Sequence, residues 1–342
     1  MKIIEIARKF AIDGEPLSAA PIDGGHINDT YCITTGKGRY IFQRINRHVM
    51  NDPPLVMENI AAVTAHLHKK GVETLTIVPP LIGGLCLLHE GEYYRMYDYI
   101  EVAESRPAPL TAADFRAAGE AFGSFIEALS DMPFGKVNMQ PLASHDTAFH
   151  LSRLRKAIEA DRAGRVGGVP GDIELALSKT DYANIIGPLL LSGEIPVRIV
   201  HNDSKYSNIL VDTVTHQAKC ILDLDNVMPG SLLSDYGDAI RSGCDENGRF
   251  RADLLPPFRE GFLSAVPGIT PAERELLPIA PLIITYENAI RYLTDYLSGD
   301  VYFKTDYPGQ NLDKFRMRMR LLADMENSPE CGIQQGIKIQ QR

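Results

Sequence analysis

Residues 22–46, IDGGHINDTYCITTGKGRYIFQRIN, alternate apolar and polar side chains on either side of Gly36–Lys37–Gly38, after a glycine-rich bend at Gly24 and Gly25. Period-two alternation around a tight turn predicts a β-hairpin with a glycine loop at its mouth. The pattern then changes. Through NDPPLVMENIAAVTAHLHKKG, Leu55, Ile60, Val63 and Leu67 recur at helical spacing, with an acid and prolines at the start and Gly71 at the end, which predicts a helix. LTIVPPLI and LCLLHEGEYYRMYDYIE return to strand, so a small β-rich lobe is expected to end near Glu101. Beyond it, TAADFRAAGEAFGSFIEAL, FHLSRLRKAIEADRAG and DIELALSKTDYANIIGPLLLSG carry a 3.6-residue period broken by Gly and Pro. The expected architecture is α+β and two-lobed: a β-rich lobe over residues 1–101 and a larger, mostly helical lobe over residues 102–342.

One stretch does not fit a plain alternation of elements. VRIVHNDSKYSNILVD, residues 197–212, runs from apolar residues straight into His201, Asn202, Asp203, Ser204 and Lys205 and then back. A turn calls for Gly, Asn or Pro, not five polar side chains in succession. NILV and AKCILDLD read as a hairpin joined by DTVTHQ, which brings His201 and Asp203 to the same edge as Asp223. The set H-x-D-S-K-x-x-N, followed by an aspartate at a strand end, matches the needs of phosphoryl transfer from ATP. Those needs are an acidic residue to orient and deprotonate a hydroxyl, and an amide and a carboxylate to hold Mg²⁺. Asp203 is therefore the candidate base, and Asn208 and Asp223 are candidate metal ligands, since Mg²⁺ keeps most of its positions for water and phosphate. Lys205 is a candidate point charge beside the transferring phosphoryl group. His201 reads as structural, holding the loop through its ring nitrogens. By itself, H-x-D-x-x-x-x-N arises by accident in roughly a few per cent of chains this long. Its setting between apolar strands, with Asp223 and a preceding glycine loop, is what makes it specific.

Composition narrows the class. The 342 residues are 44% hydrophobic, enough for a sizeable core, and a net charge of -9 with scattered Lys and Arg leaves no footprint for nucleic acid or an anionic membrane. The five cysteines are far apart and form no C-x-x-C pair, so neither a disulfide framework nor a zinc knuckle is expected, and a reducing cytoplasm suits them. The first residues lack the apolar core of a signal peptide, and LLPIAPLIITY is too short to span a bilayer. His66 and His68 point to different sides of a helix and make a poor metal pair; TTGKG lacks the upstream glycine of a P-loop.

Taken together, GGHINDTY, YIFQRIN, HNDSKYSNIL, ILDLDNVMPGS, DYGDAIR and RYLTDYLSGDVYF resemble the kinase-like small-molecule phosphotransferases that include aminoglycoside phosphotransferases and choline kinases. Within that group they resemble the sugar 1-kinases of N-acetylhexosamines most, along nearly the whole chain. The resemblance implies a protein-kinase-like fold, ATP and Mg²⁺ as cofactors, and phosphorylation of the anomeric hydroxyl of N-acetylglucosamine or N-acetylgalactosamine. It places His26, Asp203, Arg291 and Tyr302 on the sugar, and Asp235 under the catalytic loop. In the first lobe it implies Gly24 and Gly25 near the phosphates and adenine on backbone near Tyr97, Tyr99 and Ile100. Kinases carry a lysine on the third strand; here Gln43 and Arg44 stand there, and Arg44 with Glu58 is the expected substitute pair. Alternation lets only one of Gln43 and Arg44 face the nucleotide and leaves open which. Two rivals also stay open: a cationic acceptor such as choline or an aminoglycoside, against which the absence of Trp counts, and an inactive nucleotide-binding scaffold.

Overall fold

The computed structural model describes residues 2–22, 28–47, 50, 52–106, 108, 111–139, 145–215 and 217–331. The chain opens with helix α1 (Lys2–Ala7), strands β1 (Pro16–Pro21), β2 (Asp29–Thr35) and β3 (Arg39–Ile45), helix α2 (Pro53–Lys69), and strands β4 (Leu87–His89) and β5 (Glu92–Asp98). The strands make one antiparallel sheet in the order β1-β2-β3-β5-β4. The predicted hairpin is β2–β3, with Thr34 opposite Arg39. A second tight turn joins β4 to β5 through Glu90 and Gly91, whose positive φ values of 51° and 81° suit a two-residue connection. LTIVPPLI forms no strand. Its pairing with neighbouring backbone is limited to the single bridges Ile77–Tyr97 and Phe10–Pro80, because Pro79 and Pro80 have no N–H to give a ladder.

Alternation divides the sheet into two faces. Tyr40 and Phe42 of β3, with Tyr94 and Met96 of β5, pack on Ile6 and Phe10. Ile45 and Tyr97 point the other way, into the large core shared with α2 and the second lobe. Gln43 stands opposite Arg95 and Arg44 opposite Tyr94, so Gln43 is the one turned toward the second lobe. Asp52 caps α2 by accepting from Leu55 N, and Val56, Met57, Ile60, Val63 and Leu67 form its buried face. Asn59, fully buried on that face, donates to Val227 O at 3.2 Å and accepts from Asn138 N at 2.7 Å, tying α2 to the second lobe.

The second lobe follows with β6 (Ala103–Ser105), α3 (Ala112–Ala128), α4 (Thr147–Ala160), α5 (Pro170–Leu177), α6 (Ile186–Ser192), β7 (Arg198–Val200), β8 (Ile209–Asp212), β9 (Ala218–Ile221), β10 (Met228–Gly230), α7 (Leu232–Gly243), α8 (Leu255–Ala265), α9 (Pro271–Leu276), α10 (Ala280–Ser298) and α11 (Gln310–Glu326). The result is a small antiparallel sheet and a larger helical body in the kinase-like arrangement. β8 and β9 are the predicted NILV and AKCI hairpin, and β6 joins it as a third strand in the order β6-β8-β9. α10 is buried around most of its circumference and forms the axis of the lobe. α7 lies hard against it. A Cβ on Gly237 would stand 2.6 Å from Ala280 O, so glycine is what lets the two helices approach. Asp235 and Asp238 lie on α7, and Glu287 and Arg291 lie on α10. Among the described residues no helix is long and apolar enough to cross a membrane.

Candidate active site

The polar loop after β7 is held from beneath. Asp235, fully buried at the start of α7, accepts from His201 N and Asn202 N, each at 2.7 Å. His201 then acts as the brace its position suggested: Nε2 meets Leu222 O at 2.7 Å and Nδ1 accepts from Asp203 N at 3.2 Å. With Nδ1 accepting, Nε2 is the ring nitrogen that donates to Leu222 O. Leu222 N donates to Asn208 O at 2.7 Å, so the residue before Asp223 is pinned to both ends of the loop. Asn202 and Asp223 adopt left-handed backbone, with φ of 59° and 57°, a conformation Asn and Asp tolerate better than other non-glycine residues.

These contacts bring Asp203, Asn208 and Asp223 together. Asn208 Nδ2 donates to Asp203 O at 2.7 Å and to Asp203 Oδ2 at 3.2 Å, which leaves its amide oxygen for a cation. Burial, with the charges of Asp225 and Asp203, pushes the Asp223 carboxyl up to about 7, against the pull of Lys205 and Arg95. Carboxylates crowded in this way favour a bound cation, and an amide oxygen with a carboxylate is a donor set that Mg²⁺ accepts. Lys205 Nζ lies 2.6 Å from Asp203 Oδ1. Burial works against its charge, but Asp203 and Asp238 outweigh that and its pKa is raised.

On the side of the first lobe the expected Arg44–Glu58 pair does not form. Arg44 lies on the far face of the sheet, where Nε donates to Asp29 Oδ2 at 2.8 Å, and Glu58 is exposed on α2. The cation facing the second lobe stands one strand over. Arg95 of β5, 2% exposed, pairs through both terminal nitrogens with Asp225 and donates from Nε to Gln43 Oε1 at 2.8 Å. Burial opposes its charge, yet Asp225 holds its pKa above the ordinary value. Asn28 Nδ2 reaches the same carboxylate at 3.2 Å. Asp225, to which the sequence assigned no task, thus ties β5 to the turn that carries Asp223. Where the lobes join, the Tyr97 side chain is buried on Met57 and the Tyr99 ring lies 4.0 Å from the Arg39 guanidinium. Asp98 N and Tyr99 N are bonded to Thr76 O and Arg39 O, whereas Ile100 N has no acceptor among the described residues. Gly24, Gly25 and His26 lie outside the described residues.

Arg291 and Tyr302 do come together, the guanidinium 6.0 Å from the ring centroid. Asp295 sets that loop: it accepts from Val301 N at 2.9 Å, Tyr302 N at 2.8 Å and Phe303 N at 2.9 Å, and from Asn311 Nδ2 at 2.9 Å. Behind Arg291 is a buried acid that sequence reasoning missed. Glu287, 1% exposed, accepts from Thr147 Oγ1 and meets His145 Nδ1, both at 2.8 Å, with Arg291 at 3.8 Å. Burial would raise its carboxyl, but His145 above all holds it down at about 2. Asp238, similarly buried, is held at about 2 by Arg241, which donates to Oδ1 from Nε at 2.9 Å and from a terminal nitrogen at 2.6 Å. A floor of paired charges therefore runs from Asp203 and Lys205 through Asp238 and Arg241 to Glu287, Arg291 and Tyr302.

An acid beside an amide oxygen and a second carboxylate, in a kinase-like body, is the arrangement that phosphoryl transfer calls for. The chain belongs to the phosphotransferase enzyme family, whose model matches residues 18–275. That span contains Asp203, Asn208 and Asp223 and stops short of Arg291 and Tyr302. Solved structures with similar folds include a microcompartment-associated aminopropanol kinase, with 16% identity over 95% of this chain and 96% of that one and a TM-score of 0.63. A spectinomycin phosphotransferase bound to ADP and spectinomycin matches with 14% identity over 95% and 98%, at a TM-score of 0.60. An amicoumacin kinase in complex with AMP-PNP, Ca²⁺ and its antibiotic matches with 13% identity over 94% and 92%, at 0.64. At these identities the likeness is one of fold.

Proposed function

We propose that the protein is an ATP- and Mg²⁺-dependent kinase that transfers the γ-phosphoryl group to the anomeric hydroxyl of an N-acetylhexosamine, giving the sugar 1-phosphate. Asn208 and Asp223 would hold Mg²⁺, which when bound neutralises phosphate charge. ATP would lie between residues 1–101 and 102–342, with Ile100 N as an open donor for the base. Asp203 orients the acceptor hydroxyl and takes its proton, while Lys205 fixes one carboxylate oxygen and adds positive charge beside the transfer path.

The observation that carries the choice of acceptor is the charge balance of the floor. Asp203, Asp238 and Glu287 are matched by Lys205, Arg241 and Arg291, with His145 in addition. A polycationic aminoglycoside calls for an excess of carboxylates, and none is present in this set. A quaternary ammonium calls for open aromatic faces. Here Tyr302 already has Arg291 over it, and Tyr292 has Lys314 at 5.5 Å. A neutral, hydroxyl-rich sugar suits paired charges that offer both donors and acceptors. An inactive scaffold would have no use for the assembled Asp203, Asn208 and Asp223.

The test is ATP consumption with Mg²⁺ in the presence of N-acetylglucosamine, N-acetylgalactosamine, glucose, choline or kanamycin, with the product read by phosphorus NMR. An N-acetylhexosamine 1-phosphate is expected. Turnover of choline or kanamycin but of neither N-acetylhexosamine would overturn the reading.

A further inference from the structure

Two atoms in the charged floor are left open. His145 Nε2 and Asp238 Oδ2 are buried and have no hydrogen-bond partner among the described residues. Their side chains are 7% and 5% exposed, and every other polar atom of the two groups is engaged. His145 gives Nδ1 to Glu287 and Asp238 gives Oδ1 to Arg241. The two lie close enough for each charge to shift the other, and Asp238 also feels Lys205 while His145 feels Arg291. Both therefore sit between the candidate base and the Arg291–Tyr302 end of the floor. Buried polar atoms with no partner are uncommon and carry a substantial cost, so two in one cluster beside a reaction centre call for a ligand.

We propose that His145 and Asp238 bind the acceptor, Nε2 of the ring and Oδ2 of the carboxylate each taking a hydroxyl of the sugar. The inference rests on the reading of the substrate as an N-acetylhexosamine and adds the residues that read its hydroxyls away from the anomeric carbon. The polarity of the pair is fixed by its partners. Glu287 is ionised and can only accept, so His145 Nδ1 carries a proton. Asp238 Oδ2 can only accept, so the ligand must donate to it. A hydroxyl donates to Asp238 and, at Nε2, can donate or accept according to the charge of the ring. A methyl or methylene group does neither, and would leave both atoms unsatisfied.

The experiment is calorimetric titration of the full chain, wild type and His145→Asn, with N-acetylglucosamine, N-acetylgalactosamine and their monodeoxy derivatives. Asn at 145 retains a donor toward Glu287 and lacks Nε2. Sugar affinity should fall on the order of tenfold to a hundredfold, the range for a lost hydrogen bond to a buried charged network. The readout that a merely structural role would not move is selectivity. One monodeoxy sugar, lacking the hydroxyl that Nε2 touches, should bind the variant and the wild type equally, while the others lose affinity on the variant. Unchanged affinity, or the same loss for every sugar, would overturn the proposal. Should His145→Asn fail to fold, Asp238→Asn carries the same test, because it keeps an acceptor for Arg241 and turns the open oxygen into a donor. If wild type binds no N-acetylhexosamine, the proposed substrate falls and this inference with it; if it binds the sugar without that selectivity, this inference alone falls.

Discussion

Removing Arg95 should destabilise the protein and weaken the proposed Mg²⁺ site together. Arg95→Met keeps an unbranched stem of similar reach and deletes the guanidinium, taking from the Asp225 carboxylate, 7% exposed, both of its bonds to Arg95 while Asn28 Nδ2 stays at 3.2 Å. Breaking a buried pair from one side costs roughly 3–5 kcal/mol, because the remaining charge stays desolvated. For 342 residues, an unfolding entropy of about 2.1 cal/mol/K per residue gives ~0.7 kcal/mol per kelvin. The expected drop in Tm is then about 4–7 °C if unfolding is a single transition. Arg95→Met/Asp225→Asn removes the stranded charge and should recover about half of that loss or more. The two residues are 130 positions apart and on different lobes, so this coupling also reports that the lobes are joined there.

The same substitution acts on Asp223. Arg95 is among the charges that hold that carboxyl down, against burial and the charges of Asp225 and Asp203. Without it the Asp223 carboxyl rises further, and at neutral pH a larger share is protonated and unable to hold a cation. Thermal unfolding of the three proteins at pH 8, followed by circular dichroism, reads the first effect, and the Mg²⁺ concentration for half-maximal ATP turnover at pH 7 reads the second. A single variant within about 1 °C of wild type, or a double variant no more stable than the single, would sink the argument.

Other expectations concern the site itself. Asp203→Asn keeps the shape of the side chain and removes the base, so kcat should fall about 10²–10⁴-fold with sugar binding by calorimetry largely intact; normal turnover would refute the assignment. Asp295→Ala strips acceptors from Val301 N, Tyr302 N and Phe303 N. Sugar KM should then rise by about tenfold or more with ATP KM little changed, and an unchanged sugar KM would detach Tyr302 from the acceptor. Asp223 sets a pH dependence. Its folded pKa of about 7 lies above the ordinary carboxyl value, so the folded state binds the extra proton and the metal-free protein loses stability as pH rises from about 4 to 7. A cation must displace that proton, so Mg²⁺ should raise Tm more at pH 8 than at pH 6; an equal rise at both would contradict it.

What could be read from the sequence follows the distance along the chain over which each feature is set. Asp203, Asn208 and Asp223 could be grouped because one hairpin brings them together, and the glycine-turn hairpin and the start and end of α2 were legible because their signals are local. The buried pairs were not. Arg95 meets Asp225 across 130 residues and His145 meets Glu287 across 142. Nothing in YYRMYDY or ITYENAIRY distinguishes a charge bound for the interior from one on a solvated face. Gln43 and Arg44 show the same limit at short range. Alternation required one of them to face the second lobe, but the choice was made by Ile45 and Tyr97 entering the shared core while Phe42 and Tyr94 packed on α1. Packing of neighbours on both sides of the sheet, rather than any property of the two residues, put Gln43 inside and left the cationic position to Arg95. A cation on β5 rather than on the third strand sets a fixed charge near the junction of the lobes. It does so through an ion pair with the turn bearing Asp223 instead of one with α2. The first lobe is thereby coupled directly to the turn that carries Asp223, so any rearrangement at Asp225 must move both.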